Sequence, residues 1–133
     1  MPDTVLALDH VNIVAADLAA SARFYVTVLG LEERDAPPPL TPQNARWLYD
    51  RDGRAVIHLN SRDCPRRFDR TFGEGPTGSL HHVAFRCADY AGTLAHLKAL
   101  GIGFETNAVP AAGLRQLFLS DLDGVLLELN FFA

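Results

Sequence analysis

Cysteine is scarce in this chain: Cys64 and Cys87 are the only two, so no disulfide framework holds the fold. That usage fits a reducing, cytoplasmic setting. Apolar residues nowhere run for the ~20 positions that a membrane-spanning helix needs. Met1-Pro2-Asp3-Thr4 has no basic region and no sustained apolar run after it, so no secretory signal is expected there. Positive charge is short as well. Twelve Lys+Arg against 16 Asp+Glu leave a net charge of −4, which argues against the clustered basic footprint of a nucleic-acid surface. The partners left to consider are small molecules, with neither nucleic acid nor membrane expected.

What the chain does have is enough apolar matter for a core. At 133 residues and 48% hydrophobic content it is expected to form one domain without metal or disulfide staples. Val5 to Ala15 is rich in β-branched and apolar residues and reads as a strand. Asp17 is a suitable helix N-cap, and Leu18, Ala22, Tyr25 and Leu29 follow at helical spacing until Gly30 stops the run. Leu31 to Asp35 is a short strand before Pro37-Pro38-Pro39. Ala45 to Tyr49 and Arg54 to Asn60 form a hairpin around Asp50-Arg51-Asp52-Gly53.

That order, β-α-β-β-β, then recurs. Leu80 to Cys87 is a strand; Asp89 caps a helix carrying Leu94, Leu97 and Leu100, ended by Gly101; Ile102 to Thr106 is strand-like. Leu114 to Ser120 and Val125 to Phe131 form a last hairpin across Asp121-Leu122-Asp123-Gly124. The expected organisation is an α+β fold: two tandem βαβββ modules, about 5–60 and 80–133, forming a cupped mixed sheet with its helices outside. Between them, about 61–79, lie Arg62, Arg66, Arg67 and Arg70, read either as a solvated linker or as a lid presenting arginines to an anion.

The repeat carries chemistry. Leu8-Asp9-His10-Val11 and Leu80-His81-His82-Val83 stand 72 residues apart. Ala55-Val56-Ile57-His58-Leu59-Asn60 and Val125-Leu126-Leu127-Glu128-Leu129-Asn130 stand 70 apart. Strand side chains alternate between faces. If Val11, Ile13, Ile57 and Leu59 pack the helix of the first module, His10, Asn12, His58 and Asn60 face the other way. By the same parity His82, Arg86, Glu128 and Asn130 turn away from Val83, Phe85, Leu127 and Leu129. Two such faces opposed would gather three imidazoles and a carboxylate, a donor set suited to one divalent metal such as Ni, Zn, Co, Mn or Fe. Glu128 within an apolar run supports this, because a carboxylate there is costly without a partner. His81 and His96 are read as ordinary side chains. Arg86, with Arg54 as a further candidate, is the expected anchor for a carboxylate or phosphate on the substrate, the alternative being an ion pair at the rim.

These motifs, with Phe24-Tyr25, Val28-Leu29-Gly30 and Leu119-Ser120-Asp121-Leu122-Asp123-Gly124, resemble the vicinal oxygen chelate superfamily. That superfamily includes glyoxalase I, bleomycin-resistance proteins, fosfomycin-resistance enzymes, methylmalonyl-CoA epimerases and extradiol dioxygenases. Leu122 replaces the proline usual in that turn. The resemblance implies paired βαβββ modules, a divalent metal and homodimerisation. It makes His10, His82 and Glu128 the shared ligands and His58 the fourth, where glutamate or glutamine is usual.

The reaction implied first is a glyoxalase-like lyase or isomerase, in which the metal stabilises an enediolate after proton loss and Glu128 is a candidate base. Asn12, Asn60, Asn130, Arg86 and Phe118 are the expected substrate contacts. An extradiol dioxygenase would use His10, His82 and Glu128 alone, but relatives of that kind have tyrosine where this chain has Phe118 and a histidine near Arg54. A fosfomycin-type transferase also needs only three ligands. A bleomycin-type binding protein needs none, which retention of all four disfavours.

Overall fold

The computed structural model of the chain describes residues 4–66 and 77–132. Packing divides the chain into two compact units, Met1–Thr71 and Phe72–Ala133. Each is one βαβββ module with its own four-stranded mixed sheet.

In the first unit the order along the chain is β1 (Val11–Ala15), α1 (Leu18–Leu29), β2 (Glu32–Asp35), β3 (Ala45–Tyr49) and β4 (Ala55–Ser61). The sheet order is β1-β4-β3-β2, with β1 parallel to β4 and the other pairs antiparallel. Helix α1 starts where the Asp17 carboxylate accepts from the Ala20 N–H at 3.0 Å. It ends at Gly30, whose φ of 71° lets Gly30 and Leu31 donate back to Val26 and Tyr25. Ser21, Ala22, Phe24, Tyr25 and Val28 form its buried stripe, and Ile13, Ala15, Leu48, Ile57 and Leu59 supply the sheet side of the core.

The expected first strand is too long. β1 pairs only with β4, and β4 begins at Ala55, so residues before Asp9 run past the end of their partner. Val5, Leu6 and Leu8 are exposed as a result. His10 therefore stands just before β1.

The second unit contains β5 (Val83–Cys87), α2 (Tyr90–Ala99), β6 (Glu105–Val109), β7 (Leu114–Ser120) and β8 (Leu126–Phe132), in sheet order β5-β8-β7-β6. His82 likewise immediately precedes β5. The Asp89 carboxylate caps α2 by accepting from Gly92 N–H at 3.0 Å. Leu97 is this helix's one buried residue, and Leu100, expected on its apolar face, is exposed at the end. Strand β6 lies three residues later than expected. Its register is set from the β7 side, by a 3₁₀ turn over Pro110–Ala112 and by Gly113 at φ 61°, which place Val109 opposite Leu114.

Both hairpins close the same way. Asp50 Oδ1 accepts from the N–H groups of Asp52 and Arg54, and Asp121 Oδ1 from those of Asp123 and Val125. Both cysteines are free thiols. No helix among the described residues is long and apolar enough to cross a membrane.

Candidate metal centre

The first unit brings His10 and His58 face to face, with ring centroids 3.6 Å apart. His58 is stacked on its other side by Trp47, at 3.8 Å and 8° between planes. Register explains the second contact: Trp47 on β3 lies directly opposite His58 on β4. The Nδ1 of His10 is 2.6 Å from the Asp9 carboxylate, which fixes that nitrogen as the protonated one and leaves the Nε2 lone pair available. Burial, with the neighbouring His10, holds His58 below the ordinary histidine range and so favours its neutral, ligating form. Asn12, opposite His58 across the parallel pair, donates to Asn60 Oδ1 at 2.7 Å, and Asn60 donates onward to the Leu59 carbonyl.

The second unit brings His82 and Glu128 together, with Nε2 and Oε1 3.6 Å apart and the Glu128 side chain only 14% exposed. That separation is long for a hydrogen bond. It is close to the ~3.4 Å between two ligand atoms each bound about 2.1 Å from one tetrahedral cation. The other carboxylate oxygen, Oε2, accepts from Asn130 Nδ2 at 2.8 Å. Phe118 on β7 faces Glu128, and Arg86 on β5 faces Asn130. The Arg86 guanidinium lies 4.5 Å over the Phe132 ring, and no carboxylate among the described residues pairs with it.

The donors are thus divided two and two between the units. Among the described residues no group of three or more His, Cys, Asp or Glu side chains gathers at metal-binding distance. Other expected residues fall elsewhere. Arg54 stands just before β4 and is tied to Asp50 and Asp52 at the exposed hairpin turn. Arg66 donates to the carbonyls of Arg62 and Ser61, while Arg67 and Arg70 lie outside the described residues. His81, read as an ordinary side chain, stands with its Nδ1 2.9 Å from that of His82.

Three supporting residues escaped the sequence reading. Asp9 had a visible signal, its adjacency to His10. Trp47 could have been found by counting the hairpin register, except that a bulge at Leu48/Tyr49 shifts the count. Gln116, buried on β7 between Asn107 and Asn130, offered no signal before the pairing was known.

Residues 7–129 match the model of the Glyoxalase/Bleomycin resistance protein/Dioxygenase superfamily. The chain belongs to that superfamily. It is 33% identical over 132 residues to the uncharacterized protein YaeR of Escherichia coli, covering 90% of this chain and 92% of that one. Its fold is shared with a lactoylglutathione lyase from Agrobacterium tumefaciens (TM-score 0.71, 22% identity, 96% and 94% of the two chains). It is shared also with the fosfomycin resistance protein FosX from Listeria monocytogenes (TM-score 0.68, 17% identity, 98% and 96%). At these identities the two solved structures speak for the fold.

Proposed function

We propose that this protein is a metal-dependent enzyme of glyoxalase type, a lyase or isomerase acting on a small oxygen-bearing metabolite. Its ligands are His10 and His58 from one module and His82 and Glu128 from the other. The observation that carries the reading is the 3.6 Å spacing of His82 Nε2 and Glu128 Oε1, which suits two atoms sharing a cation. Burial of His58, which disfavours its charged form, and the Asp9-oriented His10 support it from the first module. A bound Ni, Zn, Co, Mn or Fe ion would supply Lewis-acid polarisation of adjacent substrate oxygens. Glu128 is the candidate for proton transfer: Asn130 holds Oε2, so Oε1 is the oxygen that would receive a proton once it detaches from the cation during turnover. Arg86, which pairs with no carboxylate among the described residues, is proposed to hold an anionic group of the substrate by paired N–H donors, with Phe118 opposite Glu128 and Asn12 opposite His58 as further proposed contacts. A homodimer is the expected assembly, which light scattering on the purified protein checks.

A three-ligand reading has one observation in its favour. His58 is sandwiched between two aromatic rings, as a packing residue would be. An extradiol dioxygenase or fosfomycin-type transferase would then use His10, His82 and Glu128 alone.

Metal analysis of protein purified without a histidine tag tests the site. Glu128→Gln and His82→Ala should each lower divalent-metal affinity at least ~10-fold, and His96→Ala should leave it unchanged. Equal metal content in all three variants would remove the assignment. A screen of 2-oxoaldehyde–thiol adducts, acyl-CoA epimers and catechols then separates the reaction classes. Arg86→Ala should weaken an anionic substrate about 10-fold, the worth of one charge-assisted contact, and leave a neutral one unaffected.

A further inference from the structure

We infer that Asn107, Gln116 and Asn130 form a directed amide ladder that positions Glu128, so that Oε1 and not Oε2 is presented beside His82. The inference rests on the reading of Glu128 as a metal ligand and names what aims it.

The three amides stand on adjacent strands at directly opposed positions: Asn107 on β6 faces Gln116 on β7, and Gln116 faces Asn130 on β8. Asn107 Nδ2 donates to Gln116 Oε1 at 2.7 Å, and Gln116 Nε2 donates to Asn130 Oδ1 at 3.0 Å. Asn130 Nδ2 donates to Glu128 Oε2 at 2.8 Å. Every bond points the same way. Gln116 and Asn130 each accept from behind and donate ahead, so the chain polarises toward its last acceptor, which is the carboxylate. Gln116 is buried, and turning its amide would leave two polar groups unpaired in the interior, which makes the direction costly to reverse.

A ladder that served only to tie strands together would look alike in both modules. It does not. Asn60 stands in the first module where Asn130 stands in the second, two residues beyond the ligand position. Its Nδ2 turns to the Leu59 carbonyl, and its Oδ1 accepts from Asn12. The proposed ligand at the matching position of that module, His58, is braced by the face of Trp47 instead. Donor N–H groups support the carboxylate, and an aromatic plane supports the flat imidazole ring.

The test titrates the full chain with Co2+ against a chromophoric chelator, following the visible Co2+ spectrum and recording the metal-free melting temperature alongside. Glu128→Gln sets the scale, with a loss of at least ~10-fold. Asn130→Asp keeps the side chain's shape but replaces the donor with an acceptor, and should lose ~10-fold with an altered Co2+ spectrum. Gln116→Leu should lose less, and Asn107→Ala least, because each lies one bond further from the carboxylate. If Glu128→Gln is weakened while Asn130→Asp and Gln116→Leu bind Co2+ like the unaltered protein, the ladder is structural only and the inference is overturned. If Glu128→Gln itself binds normally, Glu128 is not a ligand, and the functional reading falls together with it.

Discussion

Trp47 is the chain's one tryptophan, and its ring lies flat against a proposed ligand. That makes its fluorescence a direct report on His58. Adding Co2+ or Ni2+ should quench the emission at ligand-binding stoichiometry, and His58→Ala should abolish most of the quench. Trp47→Leu should weaken metal binding by about 2- to 10-fold, the worth of one ring stack. Emission that ignores a tightly bound metal would detach His58 from the site. At the same scale Asp9 and Asn130 show how a single polar neighbour sets which atom of a proposed ligand is free, Nε2 for His10 and Oε1 for Glu128.

The two helices are topological equivalents held with different strength. α1 buries five residues, whereas Leu97 is the one buried residue of α2, supported by the Tyr90 ring edge-on to Phe131. Leu97→Ala should cost about 2–5 kcal/mol, as buried leucine truncations do. Hydrogen exchange should then accelerate across 90–99 and leave the amides of α1 protected; uniform acceleration of both helices would contradict this. The hairpin turns add a pH dependence. Arg54's backbone N–H, and then its side chain, hold the Asp50 carboxyl below its ordinary value of 3.8. The stability this contributes is complete above the unfolded value and is lost as pH falls through the lower folded one. Asp50→Asn keeps the turn's acceptor oxygen but should flatten that part of the acid-unfolding curve, which melting temperatures between pH 5 and roughly pH 2 will show.

For the whole molecule, the proposed metal binding has a thermodynamic consequence. A cation that binds the folded chain, as proposed, would stabilise it by mass action, about 2.7 kcal/mol at a hundredfold excess over Kd, or roughly 10 °C in Tm. Adding metal to chelator-treated protein should therefore raise Tm, and Glu128→Gln should cancel most of the rise. His58→Ala distinguishes the two readings of the site. A lost rise identifies His58 as a ligand, as in glyoxalase-like enzymes; a full rise with metal still bound assigns the three-ligand set.

Patterns that repeat over a few residues were readable directly. Helix α1 matches its expected bounds because its cap, apolar spacing and terminal glycine lie within one stretch of chain. The hairpins about Asp50–Gly53 and Asp121–Gly124 follow from local side-chain-to-backbone bonding in the same way. Strand alternation and the 70- and 72-residue repeats were enough to single out His10, His58, His82 and Glu128. They were enough because a period of two assigns faces before any partner is known. The supports of those residues were not readable. Trp47 against His58, the ladder from Asn107 to Glu128 and the pairing of Arg54 with the turn acids all depend on cross-strand register. Register is set by bulges, turn lengths and the ends of neighbouring strands. The sequence therefore determined which side chains could do the chemistry, and only the tertiary structure decided which atoms of them are held and by what.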